Sequence, residues 1–151
     1  MKRGAIYLAS GERFVAEARR SAAHLDAFGL DHTLIERDNI EAQALGGKSD
    51  MYGLTPYEST VFLDTDTRVL GDLTFGFEMA ERHGIAIAIA PACWARRTGA
   101  VSGDEVEYNT GVIFFRKSPD VAEVFDVWRA NAGIHRNDQA SFALAIAKTG
   151  F

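Results

Sequence analysis

Short apolar runs alternate with stretches of helical periodicity along this chain, and that alternation limits the folds open to it. Apolar runs predict strands at residues 5–9, 32–35, 61–63, 85–90 and 112–115. Helices are predicted from residue 14 to Gly29, near 73–82, from Ser118 through Trp128, and from Asn137 or Asp138 to near Gly150. Strands that alternate with helices form a mainly parallel sheet covered on both faces. We therefore predict an α/β protein, a three-layer α/β/α sandwich around a mixed, mainly parallel sheet.

The composition is that of one folded domain. Of the 151 residues, 47% are hydrophobic and 25% are charged. These values are ordinary for a globular domain and too apolar for a disordered chain. No internal repeat, low-complexity tract or linker divides the sequence, so we expect residues 1–151 to form a single domain.

Charge and cysteine content argue against several classes of protein. Sixteen basic and 21 acidic residues give a net charge of −5, and the basic residues are scattered, so we expect no nucleic-acid binding. Cys93 is the only cysteine, which excludes an internal disulfide and favours a cytoplasmic location. The apolar run after Met1-Lys2-Arg3 is too short for a signal peptide, and no run approaches the roughly 18 apolar residues of a membrane span.

The strand ends are the places to search for a binding site. In sheets of this kind ligands bind beyond the carboxyl ends of the strands, where the strand order reverses. The polar residues just after strands one, three and five are therefore of most interest. An acidic chain that binds an anion there needs backbone N–H groups, placed cations or a metal ion.

Two aspartates directly follow the third predicted strand. In an extended chain Asp64 and Asp66 would start on the same side, about 6.6–7 Å apart, and both could reach one ion. Carboxylate oxygens suit Mg²⁺ or Mn²⁺, and Mg²⁺ commonly binds one or two carboxylates together with phosphate oxygens and water. The alternative is that one aspartate caps the following turn while the other is solvated.

Three segments resemble motifs of the GT-A glycosyltransferases, in the same order and at similar spacing. Residues 54–73 resemble the region around the family's D-x-D motif, residues 108–115 its N-[AST]-G strand, and residues 137–139 its D-Q helix start. The resemblance runs through essentially the whole chain, and it is nearest to family 8 and the glycogenin-like transferases. It implies a Rossmann-like nucleotide-diphospho-sugar transferase fold.

The resemblance also implies roles for individual residues. In the nucleotide site, the resemblance implies that Ala9, Ser10 and Gly11 contact the nucleoside and that Lys48 approaches the diphosphate. It implies that Asp64 contacts the ribose or the metal and that Asp66 binds the metal. The residues implied for the sugar are Asn109 and Gly111 in its pocket, with Asp138 and Gln139 as the catalytic pair beside it. The plainer alternatives are ordinary turns for residues 9–11 and Asn109, an exposed loop lysine, and an N-cap at Asp138.

The implied function is metal-dependent transfer of a sugar from a nucleotide-diphosphate donor, a UDP-sugar by resemblance, to an acceptor hydroxyl on a glycan, a protein or a small molecule. Resemblance to family 8 favours retention of configuration. Family members usually supply a third metal ligand, a histidine, from beyond the D-Q helix, and this chain ends at Phe151. A truncated relative, or a domain that binds a nucleotide sugar without turnover, is therefore an open alternative.

Two other enzyme classes compete with this interpretation. Residues 61–67 fit a haloacid-dehalogenase-type phosphatase, in which Asp64 would be the nucleophile, but Arg68 stands where that motif has Thr or Val. A nucleotidyltransferase usually opens with a loop richer in glycine than residues 10–13. Trp94, Arg96 and Arg97 could contact donor or acceptor, although a surface loop is the simpler interpretation.

Overall fold

The computed structural model describes residues 1–37, 47–90, 107–132 and 138–151. Within these residues one sheet has five strands. They are β1 (Arg3–Ala9), β2 (His32–Glu36), β3 (Ser59–Leu63), β4 (Ile85–Ile89) and β5 (Tyr108–Arg116). The helices are α1 (Glu12–Asp26), α2 (Met51–Leu54), α3 (Thr74–His83), α4 (Pro119–Asn131) and α5 (Asp138–Thr149), and a 3₁₀ turn (Gly47–Asp50) leads into α2.

The sheet is mixed, with the order β2-β1-β3-β5-β4. Strand β1 runs parallel to both β2 and β3, whereas β5 runs antiparallel to both β3 and β4. Because β4 opposes β5 and β5 opposes β3, strands β1 to β4 share one direction and only β5 is reversed. The predicted mixed, mainly parallel α/β sheet is confirmed.

Side chains of β1 alternate between the two faces of the sheet, as the pleat of a strand requires. Ala5 and Tyr7 belong to a core with Leu25 of α1 and Phe77 of α3. On the opposite face, Ile6 and the buried residues of β5 pack against α4 and α5; the large side chains there include Ile113, Phe115, Phe125, Trp128 and Phe142. Helices thus cover both faces, which gives the predicted three layers.

Four strands are longer than the sequence predicted, and β3 and β5 are two of them. Strand β3 begins at Ser59 because the hydroxyl-bearing residues Ser59 and Thr60 are fully buried between β1 and β5. Thr60 Oγ1 lies 2.8 Å from Thr55 Oγ1, so its burial leaves no unpaired hydroxyl. Strand β5 begins at Tyr108, which pairs with Ile89. The polar residues at these strand starts concealed them from an analysis based on apolar runs.

Several predictions fall on residues 38–46, 91–106 and 133–137, which lie outside the described residues. They are the loop around Leu45, the irregular stretch with Cys93, Trp94, Arg96 and Arg97, and the role of Asn137 in the last helix. Within the described residues, α5 begins at Asp138. In the same part of the chain, no helix is both long enough and apolar enough to cross a membrane.

Candidate functional site

The strand order reverses between β1 and β3, because β2 lies on one side of β1 and β3 on the other. A cavity of about 350 Å³ opens beside the carboxyl ends of these strands. Its lining combines apolar, basic and acidic side chains. The apolar ones are Leu8, Phe14 and Phe62, the basic ones Arg13, Arg37 and Lys48, and the acidic ones Glu17, Asp64 and Asp66; Gly47 and Thr65 complete the lining. A ligand cleft is expected at this place in an open α/β sheet.

The reversed direction of β5 brings its first residues to the same edge. Leu63 at the end of β3 pairs with Val112, and the Asp64 amide donates a 2.8 Å hydrogen bond to the Gly111 carbonyl. The residues that follow β5 lie at the other edge, since Arg116 pairs with Ser59. The expectation that polar residues after strand five would join the site is therefore wrong, because it assumed a parallel strand.

Lys48 joins two carboxylates from distant parts of the chain. Its Nζ lies 2.9 Å from Asp64 Oδ1 and 2.9 Å from Asp138 Oδ2. Asp138 Oδ2 also accepts a 2.8 Å hydrogen bond from the Thr110 hydroxyl. These contacts bring together the end of β3, the start of α5, the start of β5 and the 3₁₀ turn. Three residues that the sequence predicted for the site are thus in direct contact.

Burial and charge act in opposite directions on this cluster. Burial raises the pKa of Asp64 above its ordinary value, although the nearby Lys48 ammonium partly offsets that effect. Burial also acts to raise the pKa of Asp138, but the Lys48 charge and the hydrogen bonds from Lys48 and Thr110 outweigh it and hold that pKa low. Burial would lower the pKa of Lys48, yet the two carboxylates raise it. The protonation of each of the three groups therefore depends on the other two.

Gly111 allows the Asp64 carboxylate to lie close to β5. A Cβ at position 111 would stand 3.0 Å from Asp64 Oδ2 and 3.1 Å from Asn109 Oδ1. The Asn109 side-chain oxygen accepts a 2.9 Å hydrogen bond from the Gly111 amide, so it orders the entry into the strand. Asn109 and Gly111 consequently shape the place occupied by Asp64.

Asp66 lies in a turn and not in the extended chain assumed from the sequence. The amide of Thr67 donates to the Asp64 carbonyl at 3.1 Å, which closes the turn. Asp66 is exposed and lines the cavity beside Asp64. The two carboxylates border one cavity, and a turn, not an extended strand, places them there.

The donor set fits a hard divalent cation in its chemistry. Asp64 and Asp66 offer carboxylate oxygens, and Mg²⁺ or Mn²⁺ can complete its shell with phosphate oxygens and water. Among the described residues, no group of three or more His, Cys, Asp or Glu side chains is arranged to hold a metal ion. In this structure the counter-cation of the Asp64 carboxylate is the Lys48 ammonium.

The described lining of the cavity includes Leu8 at the end of β1 but not residues 9–11. Ala9 and Ser10 are buried, at 2% and 4% exposure, and Leu8 supplies the strand end that lines the cavity. Gly11, with φ of 82°, precedes α1 and borders a neighbouring open cleft that also includes Arg37. Gln139 lies half-buried in the first turn of α5, next to Asp138.

Sequence reasoning missed several residues around the cavity. Arg37 directly follows β2, so the strand-end rule would have found it had the rule been applied to the second strand. Arg13 and Phe14 lie in the first turn of α1, and Phe14 is 41% exposed although it is a large apolar residue. Thr110 stands between the two residues singled out in its motif.

Comparison with known proteins gives a likeness of fold. The crystal structure of the glycosyltransferase GlyE from Streptococcus pneumoniae TIGR4 matches with a TM-score of 0.61 and 17% identity, over 95% of this chain and 43% of that one. Its apo form matches with a TM-score of 0.57 and 18% identity, over 99% of this chain and 44% of that one. No protein-family model matches the chain, and no curated protein matches it in sequence. The chain spans less than half the length of these structures, and its α/β fold is similar to that of a glycosyltransferase.

Proposed function

We propose that this domain is a metal-dependent glycosyltransferase of GT-A type that binds a nucleotide-diphosphate sugar, a UDP-sugar in the first instance. The observation that carries the proposal is the convergence of Asp64, Lys48 and Asp138 beside the cavity at the β1–β3 reversal point. The similarity of fold to GlyE supports it. The family 8 resemblance of the D-x-D, N-x-G and D-Q segments supports it independently of the fold.

The cavity provides the types of surface that a nucleotide diphosphate requires. Leu8, Phe14 and Phe62 offer apolar area for the nucleoside, and Arg13 and Arg37 offer hydrogen-bond donors that suit phosphate oxygens. A nucleotide with its nucleoside on the apolar side chains and its diphosphate at the arginines would share the cavity with Asp64 and Asp66.

Asp64 and Asp66 are the residues that would hold the metal ion, and Lys48 would bind the diphosphate beside it. A bound divalent ion would neutralise charge on the departing nucleoside diphosphate. In this arrangement Asn109, Gly111, Asp138 and Gln139 would face the transferred sugar. The acceptor oxygen would bond to the anomeric carbon, the bond from that carbon to the diphosphate oxygen would break, and the hydroxyl proton would be released. Retention of configuration is the outcome that the family 8 resemblance favours.

A second candidate is a domain that binds the nucleotide sugar without turnover. The observation that favours it is the lack of a three-residue metal-ligand group within the described ranges. Binding alone needs the cavity and the aspartates, whereas transfer also needs a complete metal shell and an acceptor site. The two candidates therefore share a ligand and differ in turnover.

A thermal-shift screen tests the shared part of both candidates. UDP and UDP-sugars should raise the melting temperature with Mn²⁺ or Mg²⁺ present, and they should not raise it in EDTA, because a bound ligand stabilises the native state by mass action. Equal stabilisation in EDTA would contradict the metal bridge. Metal-dependent hydrolysis of the UDP-sugar, measured as released UDP, then separates the enzyme from the binder.

A further inference from the structure

A chain of three hydroxyl groups connects the middle of β1 to the turn that carries Asp64 and Asp66. The Tyr7 hydroxyl lies 2.8 Å from Ser21 Oγ, and Ser21 Oγ lies 3.1 Å from Thr67 Oγ1. Thr67 Oγ1 in turn lies 2.8 Å from the carbonyl oxygen of Asp64. Tyr7 and Ser21 are buried, at 0% and 2% exposure. This hydroxyl chain therefore begins at Tyr7 in the core and ends at the backbone carbonyl of Asp64, a proposed metal ligand.

The chemistry of the last acceptor fixes the direction of all three bonds. A carbonyl oxygen can only accept, so Thr67 donates its single proton to Asp64. Thr67 Oγ1 must then accept from Ser21, and Ser21 must accept from Tyr7. Burial raises the pKa of the Tyr7 phenol, and its bond to Ser21 only partly offsets this, so Tyr7 is protonated and can donate. Aligned hydrogen bonds of this kind strengthen one another in a buried environment.

Helix α1 anchors the turn at a second point, on the other side of Asp66. The Thr65 hydroxyl donates a 3.3 Å hydrogen bond to Glu17 Oε2. Glu17 and Ser21 are four residues apart in α1, so they lie on the same face of the helix. Both neighbours of the exposed Asp66 are thus bonded to one rigid helix.

We propose that Tyr7, Ser21 and Thr67 are positioning residues that hold Asp64 and Asp66 in the geometry of the metal–diphosphate site. The proposal rests on the proposed function of that site. The hydroxyl chain fixes the Asp64 carbonyl, and with it the turn on which both carboxylates are carried. A ligand set on a turn needs such support from the surrounding structure to keep its geometry.

Thr67→Val tests the proposal directly, because it removes the hydroxyl and keeps the shape of the side chain. We expect it to weaken binding of UDP in the presence of Mn²⁺ by about 10- to 100-fold in calorimetry, the usual loss when a residue that supports a metal ligand is changed. Thr67→Ser keeps the hydroxyl and should restore binding. Tyr7→Phe should cause a smaller loss of UDP binding. It should cause no additional loss when combined with Thr67→Val, because the hydroxyl chain is then already broken.

Thr60→Val is the matched control. Thr60 carries a buried hydroxyl on β3 that makes a bond of the same 2.8 Å length, to Thr55, away from the cavity. The control should lower the melting temperature about as much as Thr67→Val does, yet leave binding of Mn²⁺ and UDP unchanged. The proposal is overturned if Thr67→Val binds like the wild type, if Thr67→Ser fails to restore binding, or if Thr60→Val loses as much binding.

Amide hydrogen exchange in the ligand-free protein separates this proposal from the proposed function. The amide at position 67 closes the turn, so its exchange rate reports how often the turn opens. It should rise about tenfold in Thr67→Val and stay unchanged in Thr67→Ser and Thr60→Val. Failure of the wild type to bind Mn²⁺ and UDP, with this exchange pattern present, would reject the proposed function alone. Binding by the wild type with an unchanged exchange rate in Thr67→Val would reject the positioning role alone.

Discussion

Replacement of Lys48 by methionine should destabilise the protein much more than loss of a surface lysine. The Lys48 ammonium lies 2.9 Å from both Asp64 and Asp138, and the three side chains are only 29%, 34% and 26% exposed. At an effective dielectric constant of about 20, each contact amounts to about 6 kcal/mol before desolvation is subtracted. Breaking a buried pair from one side costs about 3–5 kcal/mol, and partial solvent access favours the lower end, about 3 kcal/mol. For a domain of this size that lowers Tm by about 6–12 °C.

Thermal unfolding of Lys48→Met beside Lys2→Met measures the difference. Lys2 pairs with Asp31 at 3.8 Å, with side chains 62% and 66% exposed, so its loss should cost less than about 1 kcal/mol. In Lys48→Met two neighbouring carboxylates lose their cation, and their folded-state pKa values rise above the unfolded ones. The loss of unfolding free energy in Lys48→Met, relative to the wild type, should thus be complete at pH 7. It should shrink as the pH falls through the raised pKa values of the two carboxylates. Equal losses in the two variants, or a deficit that does not change with pH, would refute the reasoning.

Three further experiments probe the site. Gln139→Ala should weaken binding of a UDP-sugar while leaving UDP binding nearly unchanged in calorimetry; equal loss for both ligands would place Gln139 outside the sugar pocket. Gly111→Ala should displace the Asp64 carboxylate by a few tenths of an ångström and weaken Mn²⁺-dependent UDP binding, with a change in unfolding free energy below about 1.5 kcal/mol. Mg²⁺ with beryllium fluoride should give no adduct on Asp64 by native mass spectrometry, whereas an adduct with turnover of phosphate esters would favour the phosphatase.

The alternation of strands and helices was sufficient to predict the layers of this fold. Continuous apolar runs such as residues 61–63 are typical of strands buried on both faces, and β3 is buried at every position. The direction of β5 was not predictable in the same way, because the apolar pattern of a strand is the same whichever way the chain runs. Pairing with β3 and β4, which only the assembled sheet reveals, fixes that direction.

The sequence indicated those residues of the candidate site that belong to a short motif, and it gave no signal for those that join the site only through tertiary contacts. Asp64 was found from its place after a strand, and Lys48 and Asp138 from the family resemblance. Thr67 bonds to Ser21 of α1, and Glu17 of α1 bonds to Thr65 of the turn; nothing in the spacing of these residues indicates those bonds. Partners across the structure are set by tertiary packing, which single-sequence patterns do not encode.

The charges around the cavity give a physical reason to expect metal dependence. Its described lining has three cations (Arg13, Arg37 and Lys48) and three carboxylates (Glu17, Asp64 and Asp66), so these charges sum to 3 − 3 = 0. Each cation is already paired: Arg13 with Glu17 at 3.1 Å, Arg37 with Asp50 at 2.8 Å, and Lys48 with Asp64 and Asp138. Asp50 also pairs with Arg129, which in turn pairs with Asp126, so counting Asp50, Asp126, Asp138 and Arg129 as well gives 4 − 6 = −2. A diphosphate entering this cavity would meet a negative site, and a divalent cation at Asp64 and Asp66 is the simplest group that reverses the sign. For the same reason the basic side chains alone should not hold UDP in EDTA.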